Sequence, residues 1–148
     1  MMKNRQKIEN KANLLWGKTL HNERNSPVHC NQLEDIFKEK WTEALQGNLL
    51  EIGCGSGADL EVFSKNNKIH KITAIDLGDN IEKLSEKYKE KKDIYIKKGN
   101  ALSLKFKSNE FDVVYSFGVF HHTPDPIKCI SEAHRVLKSK GKLFLYLY

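Results

Sequence analysis

The residues of this chain best suited to chemistry are Gly53, Gly55 and Gly57, set at alternate positions behind the apolar run of "LLEIGCGSGADLE", and Asp76, which follows 23 residues after Gly53. Glycines spaced this way let the backbone turn sharply and approach a ligand with no Cβ in between, and a helix starting behind them offers free N–H groups. A carboxylate at the end of the next strand can accept hydrogen bonds from both hydroxyls of a ribose, which points to an adenosine-containing ligand with a free 2′-OH. By itself the loop leaves several readings open. Gly53, Gly55 and Ala58 also satisfy the dinucleotide pattern G-x-G-x-x-[GA], another nucleoside or phosphate would fit, and so would a tight turn that binds nothing. Further on, "FHHTPD" places His121 and His122 where an imidazole could act as general base toward a hydroxyl. Neighbouring histidines in such a segment are expected to diverge, so that they neither share one site nor chelate one metal; the blander reading has one capping the Pro124 turn and the other lining the pocket.

These side chains need a scaffold, and the hydrophobic pattern supplies one. "NLLEIG" reads as a short buried strand, Ala58 to about Lys65 as a helix, and "KITAID" as a second strand ending at Asp76. A helix from Asn80 to about Lys91 turns Ile81, Leu84 and Tyr88 inward, with Asp79 and Asn80 better placed than Asp76 to cap it. "DIYIKKG" is a third strand, and "FDVVYSFG" a fourth with both faces covered. Asp125 to Leu137 is a helix with Pro126 in its first turn and Ile127, Ile130, Ala133 and Leu137 inward, and "KLFLYLY" is a fifth strand. Strands alternating with helices at this spacing predict an α/β fold with a doubly wound, mainly parallel sheet, and ligands in such sheets bind beyond the carboxyl ends of the strands.

At 148 residues with 39% hydrophobic and 30% charged composition, one globular domain is expected. Residues 1–30 are weakly periodic and read as an arm whose Trp16, His21 and Arg24 could close over a pocket, and residues 31–148 as the domain. Leu33, Ile36, Phe37, Trp41 and Leu45 form one helix face, with Asn31 and Glu34 as a capping box. The N-terminus lacks the apolar core of a signal peptide and no run approaches the roughly 18 apolar residues of a membrane span, so a cytoplasmic location is expected. Cys30, Cys54 and Cys129 form no CxxC pair and read as reduced thiols, with no metal site. Cys129 and His134 read as packing and surface residues. The net charge of +6 raises nucleic acid as a partner, but the lysines run in "EKLSEKYKEKKD" and "KSKGK", interleaved with glutamate or spread as a solvated face, so none is expected.

"LLEIGCGSG", "AIDLG", "GNALSLKFKSNEFDVVYSFGVFHHTPDP" and "EAHRVLKSKGKLFLYLY", in this order and spacing, resemble the class I S-adenosylmethionine-dependent methyltransferases, a Rossmann-like family, and within it the methyltransferase-11-like branch of quinone and other small-molecule methyltransferases. The resemblance covers about residues 48–148. It implies S-adenosylmethionine as cofactor, a small-molecule acceptor, and transfer by in-line displacement at the sulfonium methyl. Carried over by position, Glu51 matches the acid that meets the methionine ammonium, and Gly53, Cys54, Gly55 and Gly57 match the loop around methionine and ribose. Asp76 matches the ribose acid, Leu77 the residue packed on adenine, and Asn100-Ala101 the pair that reads the adenine edge, where the family usually has aspartate. Ser116, Phe117 and Gly118 match the strand end beside the ammonium and methyl group. His121 and His122 are the candidate catalytic bases.

Two other classes compete. A nicotinamide-dependent oxidoreductase shares the loop and Asp76 but ordinarily has an apolar residue where Glu51 stands, and a non-catalytic cofactor- or partner-binding domain would use the same fold. A nucleic-acid amino methyltransferase would carry [DNS]-P-P-[YFW] where this chain has "SFGVF". The family places further strands beyond the fifth, and "KLFLYLY" is apolar on both faces. The chain is therefore expected to lack C-terminal strands and to self-associate along that edge.

Overall fold

A computed structural model describes residues 41–147. The expectations for the arm, for Cys30 and for Leu33, Ile36, Phe37 and the Asn31/Glu34 box lie outside the described residues. Trp41 and Leu45, from the same expected face, are 5% and 1% exposed.

Five strands, β1 (Gly47–Ile52), β2 (Ile69–Asp76), β3 (Ile94–Lys98), β4 (Phe111–Phe117) and β5 (Leu137–Tyr146), pair in the order β3-β2-β1-β4-β5, and every pair is parallel. Among the described residues these are the strands, and the α-helices are α1 (Ala58–Phe63), α2 (Ile81–Lys87) and α3 (Pro126–Val136). Side chains alternate across a strand, so β1 sends Leu49 to one face and Leu50 and Ile52 to the other. On the first face Leu49 joins Trp41, Leu60, Phe63, Ile81, Leu84 and Tyr115; on the second, Leu50 and Ile52 join Val114, Phe120, Cys129, Ala133 and Val136. Helices thus cover both faces, as a parallel sheet requires. From β1 the chain first builds outward to β2 and β3, then returns to lay β4 and β5 on the other side. The order reverses between β1 and β4, the switch point at which doubly wound sheets bind ligands in the crevice above the carboxyl ends of the strands.

The inward face of α3 differs from the expected one. Cys129, Ala133 and Val136 are fully buried, whereas Ile127 is 72% exposed. Helical residues advance about 100° each, so Ile127 lies roughly 200° from Cys129, on the opposite side. Asp125 caps α3 by accepting from the Lys128 N–H at 2.9 Å. The helix ends at Val136, and Leu137 already pairs with Phe111 in β5, which bulges before resuming at Lys142.

Opposite the carboxyl ends, at the amino ends of the strands, the Asp112 carboxylate is partnered. Asp112 accepts from the Asn48 N–H at 2.8 Å and from Lys138 Nζ at 2.9 Å. Burial alone would raise the Asp112 carboxyl, but those two partners outweigh it and hold the group below its ordinary value. Gly47, at φ +80°, leaves room for this carboxylate, since a Cβ there would lie 2.6 Å from Asp112 Oδ2.

Candidate functional site

The glycine loop leaves β1 at the crevice and is fixed from beneath by β2. The N–H groups of Gly53 and Cys54 both donate to the Ile75 carbonyl, at 2.7 and 3.1 Å. Gly53 and Gly57 have φ of +81° and +83°, and a Cβ on either would come within 2.3 Å of Val119 or 2.6 Å of Leu84. Both must therefore be glycine, for conformation and for space.

Asp76 ties the loop to the second turn. Its Oδ2 accepts from the Gly55 N–H at 2.9 Å and its Oδ1 from the Gly78 N–H at 2.7 Å, while the Gly99 N–H donates to its carbonyl at 2.9 Å. Asn80, expected as a helix cap, makes no side-chain cap; its Nδ2 donates to the Gly55 carbonyl at 3.0 Å instead. Asp79 pairs with Lys98 at 3.0 Å. Asn80 thus serves the loop, and Asp79 reaches the neighbouring strand.

Beneath the loop lies an acidic group of residues that sequence reading identified only in part. Glu51 is 3% exposed, and its Oε2 has no hydrogen-bond partner among the described residues. Burial, reinforced by the charges of Asp59 and Asp76, holds its carboxyl well above the usual carboxylate range. Asp59 is 4% exposed and accepts from the Tyr115 hydroxyl at 2.9 Å. An acid in the first turn of α1 reads in sequence as an ordinary helix-dipole partner, which is why Asp59 gave no signal. Such surroundings repel a pyrophosphate and favour a cation. Burial, reinforced by the charges of Glu51 and Asp76, pushes the Cys54 thiol well up.

The remaining candidates fall around the same crevice. Asn100 Oδ1 accepts from the Leu102 N–H at 2.9 Å, a local turn that keeps one oxygen lone pair open, and Ala101 is buried against the second core. Leu77 is half-buried at the turn after β2. Ser116 is buried, its hydroxyl donating to the Ile52 carbonyl at 3.0 Å, so it offers the crevice its backbone rather than its side chain. The Gly118 N–H donates to the Tyr146 carbonyl at 3.0 Å, and the Phe117 ring stacks on Tyr146 with centroids 4.2 Å apart.

His121 and His122 do not diverge as expected. Phe120, 0% exposed, takes the inward direction of the short 3-10 turn Phe120–His122 and leaves the imidazoles to share the remaining arc, with ring centroids 3.9 Å apart. Sequence reading missed Val119, which fills the space below Gly53, and the Glu132–Arg135 pair of α3. Arg135 donates to the Leu104 and Phe106 carbonyls, both at 2.9 Å, and Glu132 accepts from the Leu104 N–H at 2.8 Å, fixing the segment that follows Asn100-Ala101.

A parallel doubly wound sheet with a glycine loop and a strand-end acid at its switch point is a Rossmann-like α/β domain. Residues 50–145 match the family model described as a methyltransferase domain, and the chain belongs to that family. Phosphoethanolamine N-methyltransferase 2 of Caenorhabditis elegans is 32% identical over 103 residues, 68% of this chain and 23% of that protein. The 27-O-demethylrifamycin SV methyltransferase of Amycolatopsis mediterranei is 29% identical over 143 residues, 88% of this chain and 52% of that one. Haemonchus contortus phosphoethanolamine N-methyltransferase 1, solved with phosphoethanolamine and S-adenosylhomocysteine, superposes with a TM-score of 0.69 over 94% of this chain and 31% of its own; at 18% identity this likeness speaks for the fold alone. The chain spans from about a quarter to about half of these curated relatives, 23% in one and 52% in the other.

Proposed function

We propose that this chain carries the cofactor-binding and catalytic part of an S-adenosylmethionine-dependent methyltransferase acting on a small molecule. The observation that carries this reading is Glu51, a buried carboxylate with an unpartnered oxygen beside Asp59 and Asp76. A ligand bearing an ammonium and a sulfonium answers that need. A dinucleotide, whose pyrophosphate would enter the same acidic surroundings, does not. The relatives named above act on phosphoethanolamine and a rifamycin by their names, which supports a small-molecule acceptor here.

In this reading Glu51 meets the ammonium, while Gly53, Cys54, Gly55 and Gly57 let the backbone lie against the methionine and ribose. Asp76, oriented by the Gly55 and Gly78 N–H groups, uses its remaining lone pairs for the ribose hydroxyls. Leu77 packs on the adenine, Asn100 and Ala101 meet its edge, and Ser116, Phe117 and Gly118 line the methyl side. The cofactor supplies a methyl carbon already activated by its sulfonium, so the protein's work is alignment and exclusion of water. For a hydroxyl acceptor, His121 or His122 takes the proton.

The same reading includes a cytoplasmic location, supported by the free, buried thiols of Cys54 and Cys129. Among the described residues no helix is long and apolar enough to cross a membrane. It also includes self-association along β5, which with β3 is one of the two sheet edges among those residues and ends beside Leu147, 43% exposed. Sedimentation over a concentration series checks this.

The central test is ligand-dependent melting. S-adenosylmethionine or its demethylated product at about 100 times its dissociation constant stabilises the fold by roughly 2.7 kcal/mol, NADH leaves it unchanged, and Asp76→Ala removes most of the rise. A rise with NADH alone, or none with either methionine derivative, overturns the assignment. Binding without turnover across a panel of acceptors would favour the non-catalytic reading.

A further inference from the structure

The open edge of β3 borders a groove of about 570 Å³, and the groove is basic. Lys71 comes from β2, Lys97 from β3, and Lys105 and Lys107 from the segment leading to β4. None of the four has an ion-pair partner among the described residues. Two are held over aromatic rings, Lys71 Nζ at 4.3 Å from the Tyr95 centroid and Lys97 Nζ at 4.3 Å from that of Phe106. Tyr95 is 50% exposed. Glu110, the groove's carboxylate, already accepts from the Lys107 N–H at 2.8 Å. Sequence reading judged charge by its runs, whereas folding gathers these four lysines from outside both runs. None of the lining residues is assigned to the cofactor.

We propose that this groove docks the backbone of a single-stranded nucleic acid without regard to sequence. Lysine meets phosphate as a point charge, and among the described residues no arginine lines the groove to grip a single carboxylate in bidentate fashion. Tyr95 has one face under Lys71 and presents the other for a base to stack on, which suits a chain of alternating phosphates and planar rings. A membrane surface fits less well. Among the described residues, the other large apolar side chains that stand exposed, Ile127 and Leu147, are not part of this groove.

The test is fluorescence anisotropy with a labelled oligothymidylate of about 15 nucleotides, using the whole chain. Binding is expected at about 50 mM salt, with log K falling against log salt at a slope near about −3 for four neutralised phosphates. Lys71→Ala with Lys97→Ala weakens it by about tenfold or more. Tyr95→Leu, which keeps the bulk, weakens it by about five- to hundredfold while leaving inorganic polyphosphate binding unchanged. Lys140→Ala with Lys142→Ala removes equal charge from a second groove, at the amino ends of β4 and β5, and leaves binding within about twofold. No binding at low salt overturns the proposal, as does an equal loss in the Lys140/Lys142 pair. Tighter binding of duplex DNA, polyglutamate or phosphatidylserine vesicles than of the single strand also overturns it.

Discussion

Glu51 and Asp112 are carboxylates on adjacent strands of one sheet, and they are treated in opposite ways. At the amino ends, Asp112 has a backbone N–H and an ammonium and is held below its ordinary value. At the carboxyl ends, Glu51 is buried with an oxygen left over and is held well above it. Asp112 is satisfied and contributes stability; Glu51 keeps an oxygen without a hydrogen-bond partner among the described residues, as groups at functional sites do.

The largest effect comes from disturbing the backbone at the ligand end. Gly53→Ala places a methyl 2.3 Å from Val119 at φ +81° and should cost about 3–5 kcal/mol in denaturant unfolding, with loss of cofactor-induced stabilisation. Adding Val119→Ala should recover the packing share only. A Gly53→Ala protein as stable as its parent would break the contrast at its strongest point.

Glu51→Gln should show two opposed effects. The folded protein holds this proton more tightly than the unfolded chain does, so the stability tied to it is present at low pH and lost as pH rises above about 4.3, the ordinary glutamate value. The glutamine variant lacks that decline and should be more stable by about 1–3 kcal/mol at pH 7, while binding the cofactor at least about tenfold more weakly. Melting curves across pH and calorimetric titration check both.

Asp112→Ala should behave in the reverse manner. Its carboxyl is partly exposed, so a loss of only about 1–2 kcal/mol is expected at neutral pH, with cofactor affinity unchanged. The stability Asp112 contributes is present above about 3.9 and lost as pH falls through its lowered folded value, so parent and variant should converge in acid. The smallest effect belongs to Lys140, a non-glycine residue at φ +65° in the bulge of β5. Lys140→Gly should gain about 0.5–1 kcal/mol, seen as a higher melting temperature with no change in binding.

The strands were legible because a parallel sheet writes itself as apolar runs, and the glycine loop because only glycine serves where it stands. Glu51 and Asp76 could be placed by position. What the sequence concealed depends on direction and on distant partners. Ile127 looks apolar and inward until the phase of Cys129, Ala133 and Val136 is known. Asn80 has the type of a cap, but its partner is the Gly55 carbonyl, 25 residues away. Asp59 looks like a surface acid until Tyr115 is seen to donate to it across 56 residues. The imidazoles of His121 and His122 meet on a short 3-10 turn whose Phe120 is buried, a geometry the residue types do not announce.

The grip of α3 on the segment after Asn100-Ala101 has a kinetic consequence. Gly55 and Asp76 are 21 residues apart and belong to one β1-α1-β2 unit, so their contact can form as soon as that unit does. The Leu104 contacts to Glu132 and Arg135 close loops of 28 and 31 residues and require a helix that comes after β4. Longer loops close at greater entropic cost and reward the chain later. During folding, the Gly55–Asp76 contact is therefore expected to precede the Leu104 contacts, and the segment after Asn100-Ala101 to gain its anchor when α3 docks.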